Sequence, residues 1–448
     1  MKFKKLAMAL AVSGLILPGV ASATNGYFSH GYGMKAKGMA GAATAMADDA
    51  FGGANNPATM VFAGDRFDIG VDWFRPIRSA KRDGVTPGAG SLANASADSG
   101  SNDFLVPEFG YNRMLSSKMS LGVTVYGNGG MNTDYPGGQT TVATSPACAG
   151  FNSAGAAGSP YNLLCGSGKL GVDLMQLVIA PTLAYKVNER HSIGVSPLFG
   201  YQRFKAEGLQ GFVGYTSSGT TNNLTNVGYD SATGWGVRIG YYGQLTDKIS
   251  IGAAYSSKIA MSKFDKYKEL FAEQGAFDMP ENWNLGIAIK ATPKTTVAVD
   301  YQRINYSGVK SIANPSTNGG LTIGGTLGGD NGRGFGWGSV DVWKFGVEHA
   351  YSDKLTLRAG YSHSDNPIQS RDVTFNIIAP GVVTDHYTLG FTYNLDKQSE
   401  ITMSYMHAKE NSVQGASLFT GWLGAANAGT ETIKMYQDSL GIAYGKKF

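Results

Sequence analysis

From Asp65 to Phe448 the chain alternates short strand-like stretches with connections that are by turns very short and long. In the clearest stretch, Tyr387, Leu389, Phe391, Tyr393 and Leu395 share one face, and His386, Thr388, Gly390, Thr392 and Asn394 the other. This is the two-residue period of a strand, with one face suited to lipid and one to water. Past the amino terminus, no segment approaches the roughly 18 consecutive apolar residues that a membrane-spanning helix needs. A bilayer could therefore be crossed only by strands, and the rhythm predicts an outer-membrane β-barrel.

The first residues are set apart by Lys2, Lys4 and Lys5, an apolar run from Leu6 to Leu17, and Ala21-Ser22-Ala23. They are expected to be a secretory signal peptide spanning 1–23. Its loss takes the formal net charge from +4, less three, to +1. A near-neutral chain without a basic stripe argues against a nucleic-acid partner. Charged residues are 16% of the chain and Gly 63 of 448, whereas a soluble domain averages about 25% charged and about 7% Gly. A soluble secreted β-sandwich or β-helix accounts for this composition less well than a barrel does.

Fourteen strand candidates run from about 65–75 to 431–448, an even number, as bacterial barrels require. Six connections are tight and polar, among them Val187-Asn188-Glu189-Arg190 and Leu395-Asp396-Lys397-Gln398; these read as periplasmic hairpin turns. The intervening connections are long, rich in Gly, Ser, Thr and Asn, and belong on the cell surface. Cys148 and Cys165 share one such stretch and are expected to form a disulfide in an oxidising compartment. A metal site would need further ligands, and no His lies between them. Residues 24–64 do not follow the strand rhythm. Too small for a core of their own, with helix-compatible stretches such as Lys35 to Ala47, they are expected to plug the lumen of the barrel formed by 65–448.

Within that segment, Asn25-Gly26-Tyr27-Phe28-Ser29-His30-Gly31-Tyr32-Gly33, Lys37-Gly38-Met39-Ala40-Gly41-Ala42, Ala47-Asp48-Asp49-Ala50 and Asn56-Pro57-Ala58 resemble the amino-terminal hatch of the FadL/TodX family. Members are outer-membrane transporters of long-chain fatty acids and other hydrophobic compounds. Met279-Pro280-Glu281-Asn282-Trp283 resembles the family's Leu-Pro-Glu-x-Trp segment. Arg358-Ala359-Gly360-Tyr361 followed by Asn366-Pro367-Ile368 resembles its Arg-x-Gly-Tyr and Ser-Pro-Val pattern, with departures at His363 and Asn366. The resemblance implies a monomer, a hatch-gated path, a kink in the third barrel strand that opens the wall, and Asn56-Pro57-Ala58 near that kink. The corresponding stretch here includes Gly127, Gly129 and Gly130, and glycine suits a break because it has no side chain to pack. The alternative is an ordinary Gly-rich strand end.

Candidate ligand contacts fall in two groups. Phe264, Tyr267, Leu270, Phe271 and Phe277 have helical spacing in a surface loop; they could form a landing groove for substrate, or pack on a neighbouring loop or toward lipopolysaccharide. Phe335 and Trp337 with Arg333, and Phe419 with Trp422, are further aromatic clusters. Arg238, Lys290, Lys344 and Arg358 point inward by period and could meet a fatty-acid carboxylate. Asp300 and Glu348 also point inward, so these bases could instead complete lumenal ion pairs. No G-x-S-x-G, H-E-x-x-H or phosphate-loop motif is present, so neither an enzyme nor a cofactor is expected. The expected cargo is a fatty acid, the alternative an aromatic or alkane hydrocarbon, with a general porin behind both. The partners expected are outer-membrane lipid and lipopolysaccharide, and the barrel assembly machinery, which would read the terminal strand ending at Phe448.

Overall fold

The computed structural model describes residues 25–152, 160–320 and 326–448; the expected signal peptide lies outside them. The strands in chain order are β1 (Arg66–Asp83), β2 (Ala95–Asp98), β3 (Phe104–Ser116), β4 (Met119–Asn132), β5 (Gly171–Lys186), β6 (His191–Glu207), β7 (Asp230–Gln244), β8 (Ile249–Ser256), β9 (Ala260–Met261), β10 (Asn282–Thr292), β11 (Thr295–Ile304), β12 (Val340–Ala350), β13 (Leu355–Ser364), β14 (Asp385–Asn394), β15 (Ser399–Ala416) and β16 (Thr430–Lys447). Setting aside the two short strands β2 and β9, the other fourteen pair antiparallel with their neighbours. The ring closes where β16 pairs β1 along its whole length, from Arg66↔Lys447 to Asp83↔Thr430. Closure leaves no edge, which a bilayer demands because it offers no hydrogen bonds to an unpaired ladder.

Side chains sort as the period requires. Leu389 is 62% exposed on the lipid face, whereas its neighbour Thr388 is 3% exposed on the lumen face. Several strands outrun the expected bounds. β1 was expected to end near 75 but continues to Asp83, and β15 and β16 match it, β1 and β16 at 18 residues each. About 9–11 residues span a bilayer, so the surplus rises above the outer leaflet. There the outward residues Arg75 and Lys81 are exposed, and the apolar signal that marks a strand is lost. Conversely, the strand that starts at Ile249 stops at Ser256 and resumes as β9.

Residues 25–64 fill the lumen and are almost entirely buried. The helical stretch expected over Lys35–Ala47 is only Met34–Gly38. It stops because the chain turns back at Gly41 (φ +84°), where a Cβ would stand 1.8 Å from the carbonyl oxygen of His30. Glycines on the inner wall accept the hatch backbone at close range: a Cβ at Gly252 would lie 2.0 Å from the Thr44 carbonyl oxygen, and one at Gly360 2.4 Å from the Met39 carbonyl carbon. Much of the chain's glycine thus serves the fit of plug to wall. Above the hatch, the long loops fold inward and join it in one apolar cluster. Cys148 and Cys165 are joined by a disulfide.

Candidate functional site

The wall is interrupted between β3 and β4. The β3–β4 ladder runs from Ser116↔Met119 to Phe109↔Val125 and goes no further. Beyond that point β3 pairs only with β1, up to Phe74↔Phe104. Meanwhile β4 continues along β5 to Asn132↔Asp173, slipping register between Gly127 and Gly129. Every residue from Tyr126 to Asn132 is buried, so the alternation of a wall strand ends there. Above Val125, β4 has bent off the lipid face into the barrel.

The hatch occupies the bend. Phe28 bridges Gly129, Ser29 N donates to the Asn128 carbonyl at 3.3 Å, and the Tyr32 hydroxyl donates to Asn128 Oδ1 at 3.3 Å. The bulged Asn128 in turn donates from Nδ2 to Gln176 on β5 at 3.1 Å. Next to the bend lies a small cavity bordered by Tyr27 of the hatch, Phe74 and Arg78 of β1, Met131 of β4, Trp337 and Met435. The Tyr27 ring is 5.9 Å from Trp337 and 5.3 Å from Tyr306, which fixes one aromatic wall. Arg78 is the one charged group on the lining; Gly130, Asn132 and Pro380 are among its other members.

Charges hold the hatch elsewhere. Lys37 Nζ lies 2.8 Å from Asp72 of β1 and 3.7 Å from Glu108 of β3. Burial opposes its charge, but Asp72 and Glu108 outweigh that and hold the ammonium above its ordinary range. Asp300 Oδ2 accepts from the backbone N–H groups of Ala43 and Thr44 at 2.9 and 2.8 Å. His30 stacks on His386 of β14 at 6.2 Å. Burial, His386 and the cations Lys37 and Lys344 keep the His30 imidazole well below its usual range.

Most of the residues singled out from the sequence sit away from the cavity. Gly127, Gly129 and Gly130 do mark the bend. Asn56-Pro57-Ala58, however, docks on β6 and β7: Asn56 Nδ2 donates to the Tyr241 carbonyl at 2.9 Å, and Ser192 Oγ donates to the Ala58 carbonyl at 2.7 Å. The hatch contacts the bend through Tyr27–Ser29 and Tyr32 instead. Arg238 is buried, donating from Nη1 to the hatch carbonyls of Gly53 and Ala54. Lys344 Nζ donates to the His30 carbonyl at 3.0 Å. Arg358 pairs with Glu348 at 2.6 Å. These three serve the hatch and lumenal ion pairs. Lys290 stands exposed at the periplasmic end of β10, where the ladder slips between Lys290 and Thr292.

The aromatic loop also reads differently. Phe264, Tyr267, Phe271 and Phe277 are all buried, with Leu270 half-buried, so they form no exposed groove. Their rings close on Phe204 of β6, at 4.7 Å for both Tyr267 and Phe271. The helix expected there breaks into short turns, with Glu273 and Gln274 outside helical geometry. Phe335, Trp337 and Phe419 are buried too. Phe74, Arg78, Met131 and Met435 were missed, since three separate stretches of chain meet the hatch only after closure; Gly130 and Trp337 carried a signal, and Tyr27 lay within the hatch motif.

A family model described as outer membrane protein transport protein (OMPP1/FadL/TodX) matches residues 162–444. Among solved structures, the Pseudomonas putida toluene transporter TodX is 19% identical, with a TM-score of 0.65, covering 94% of this chain and 99% of its own. A Pseudomonas aeruginosa FadL homologue is 14% identical at TM-score 0.63, covering 94% and 100%. The Ralstonia pickettii toluene transporter TbuX is 18% identical at 0.58, covering 94% and 99%. At such identities the likeness is one of fold. Comparison with curated protein sequences finds no significant match.

Proposed function

The chain belongs to the OMPP1/FadL/TodX family of outer membrane transport proteins, and from that membership we propose that it admits hydrophobic small molecules, long-chain fatty acids first among them, by spontaneous diffusion. The apolar cavity beside the β3–β4 gap carries the reading. A molecule held there touches the hatch at Tyr27 and the bent strand at Met131 together. A shift of the Tyr27–Ser29 segment off β4 would open a way sideways between β3 and β4, so that cargo leaves through the wall near Gly127–Gly130. Surface loops would make the first capture. In this reading residues 1–23 are removed on export, the barrel works as a monomer, and Phe448 marks the chain for assembly.

A second reading, uptake of aromatic or alkane hydrocarbons, is favoured by a cavity lining that is apolar apart from Arg78 and a few polar neighbours. The solved relatives are transporters and channels, and no catalytic role is proposed. The test is uptake of oleate, toluene and hexadecane by cells that express the protein and lack their own hydrophobic channel. Oleate uptake above the others is expected. Preference for toluene or hexadecane would favour the second reading, and uptake of none, with large steady ion currents after reconstitution, would indicate a general porin.

A further inference from the structure

Arg78 lies on the inner face of β1, four residues above Phe74 and directly across the ladder from Met435. It is 5% exposed. Its guanidinium donates to the Asn132 and Ser101 carbonyls and, at 3.3 Å, to Asn102 Oδ1. All three are neutral oxygens, and Nε is buried without a partner. Four other buried bases on the inner wall and hatch are neutralised, Lys37 by Asp72, Arg66 by Asp68, Arg82 by Glu431 and Arg358 by Glu348, whereas Lys344 has no ion pair among the described residues and donates to the His30 carbonyl. Arg238 also lacks a carboxylate, but its Nε donates to Ser256 and its Nη1 to the hatch. Arg78 thus combines a buried charge, no acidic partner among the described residues, and a place on an apolar cavity. Burying a cation without an anion is costly, and a guanidinium is shaped for a carboxylate.

We propose that Arg78 receives the carboxylate of an amphiphile whose tail lies against Tyr27, Phe74, Met131 and Trp337. This rests on the uptake reading above and adds the headgroup and its receptor. Arg78 then selects acids over neutral molecules of the same tail, while the apolar lining does not.

The test is binding of oleate and of methyl oleate to the full-length barrel in nonionic detergent, each by displacement of its own radiolabelled form. The wild type is expected to favour oleate by about tenfold or more, as a charge-assisted pair should. Arg78→Gln should weaken oleate by that factor and leave methyl oleate unchanged, and Arg78→Lys should recover part of the loss. Equal weakening of both ligands would overturn the assignment, leaving Arg78 only to hold Asn132 and Ser101 in place. Equal wild-type affinities would also overturn it, and that comparison stands even where Arg78→Gln fails to fold. A wild-type barrel that binds neither ligand would instead overturn the uptake reading itself.

Discussion

The carbonyl oxygen of Tyr27 lies 1.9 Å from where a Cβ on Gly129 would stand. Hatch and bent strand therefore meet backbone to backbone, and no side chain larger than hydrogen fits between them. Gly129→Val should push the Tyr27–Ser29 segment off β4 while leaving the β4–β5 ladder to assemble. The expected outcome is a folded barrel whose ion conductance in planar bilayers rises several-fold. Gly88→Ala, where a Cβ meets nothing within 4 Å, should leave conductance unchanged.

Lys37 ties the hatch to the wall through Asp72 and Glu108. Replacing it with Met would strand two buried carboxylates, a loss of about 3–5 kcal/mol. Hydrogen exchange of the amides in 25–64 should speed up in Lys37→Met, with the barrel strands still protected. Adding Asp72→Asn and Glu108→Gln removes the orphaned charges and should restore most of the protection. Failure to restore it would mean that Lys37 acts by packing alone.

The container was legible because lipid and lumen are written into alternate residues: Leu389 and Thr388 need no tertiary knowledge to be assigned opposite faces. The hatch was legible by exclusion and by its resemblance to a known motif. The cavity was not, and Arg78 shows why. Strand β1 was expected to end near 75, since above the bilayer its outward residues turn polar, and so the inward side chain at 78 fell outside the expected strand. Phe264, Phe271 and Phe277 misled for another reason. Helical spacing states which residues share a face, but whether that face meets water or Phe204 is decided by how the loops fold inward. Lys290 faces inward by period, yet its depth along β10 leaves it in solvent.

At the other end of the chain, Phe448 N donates to the Asp65 carbonyl at 3.1 Å, and its ring stacks on Tyr111 at 6.0 Å. It is also 49% exposed, so the folded barrel gains little from it. Deleting Phe448 should thus lower the amount of barrel assembled in cells more than the thermal stability of barrels that do assemble. Heat-modifiable mobility on gels reads the first and unfolding in detergent the second. A loss of stability matching the loss of assembled protein would assign Phe448 to the fold and not to assembly.

Whether the hatch must leave β4 for cargo to pass is open to a direct lock. Ser29 N and the Asn128 carbonyl are in hydrogen-bond contact at 3.3 Å, one residue on from the Phe28–Gly129 bridge. Paired antiparallel residues bring their Cα atoms to about 4.5–5.5 Å, within disulfide range. A Ser29→Cys, Asn128→Cys double variant, oxidised, should fasten the hatch to the bend without altering the wall. Oleate uptake should fall about tenfold or more and return on adding reductant. Because reductant also reaches Cys148–Cys165, the wild type treated in the same way is the control. Uptake that persists in the oxidised variant would mean that cargo passes the cavity with the hatch in place, and that the opening motion belongs to the wall.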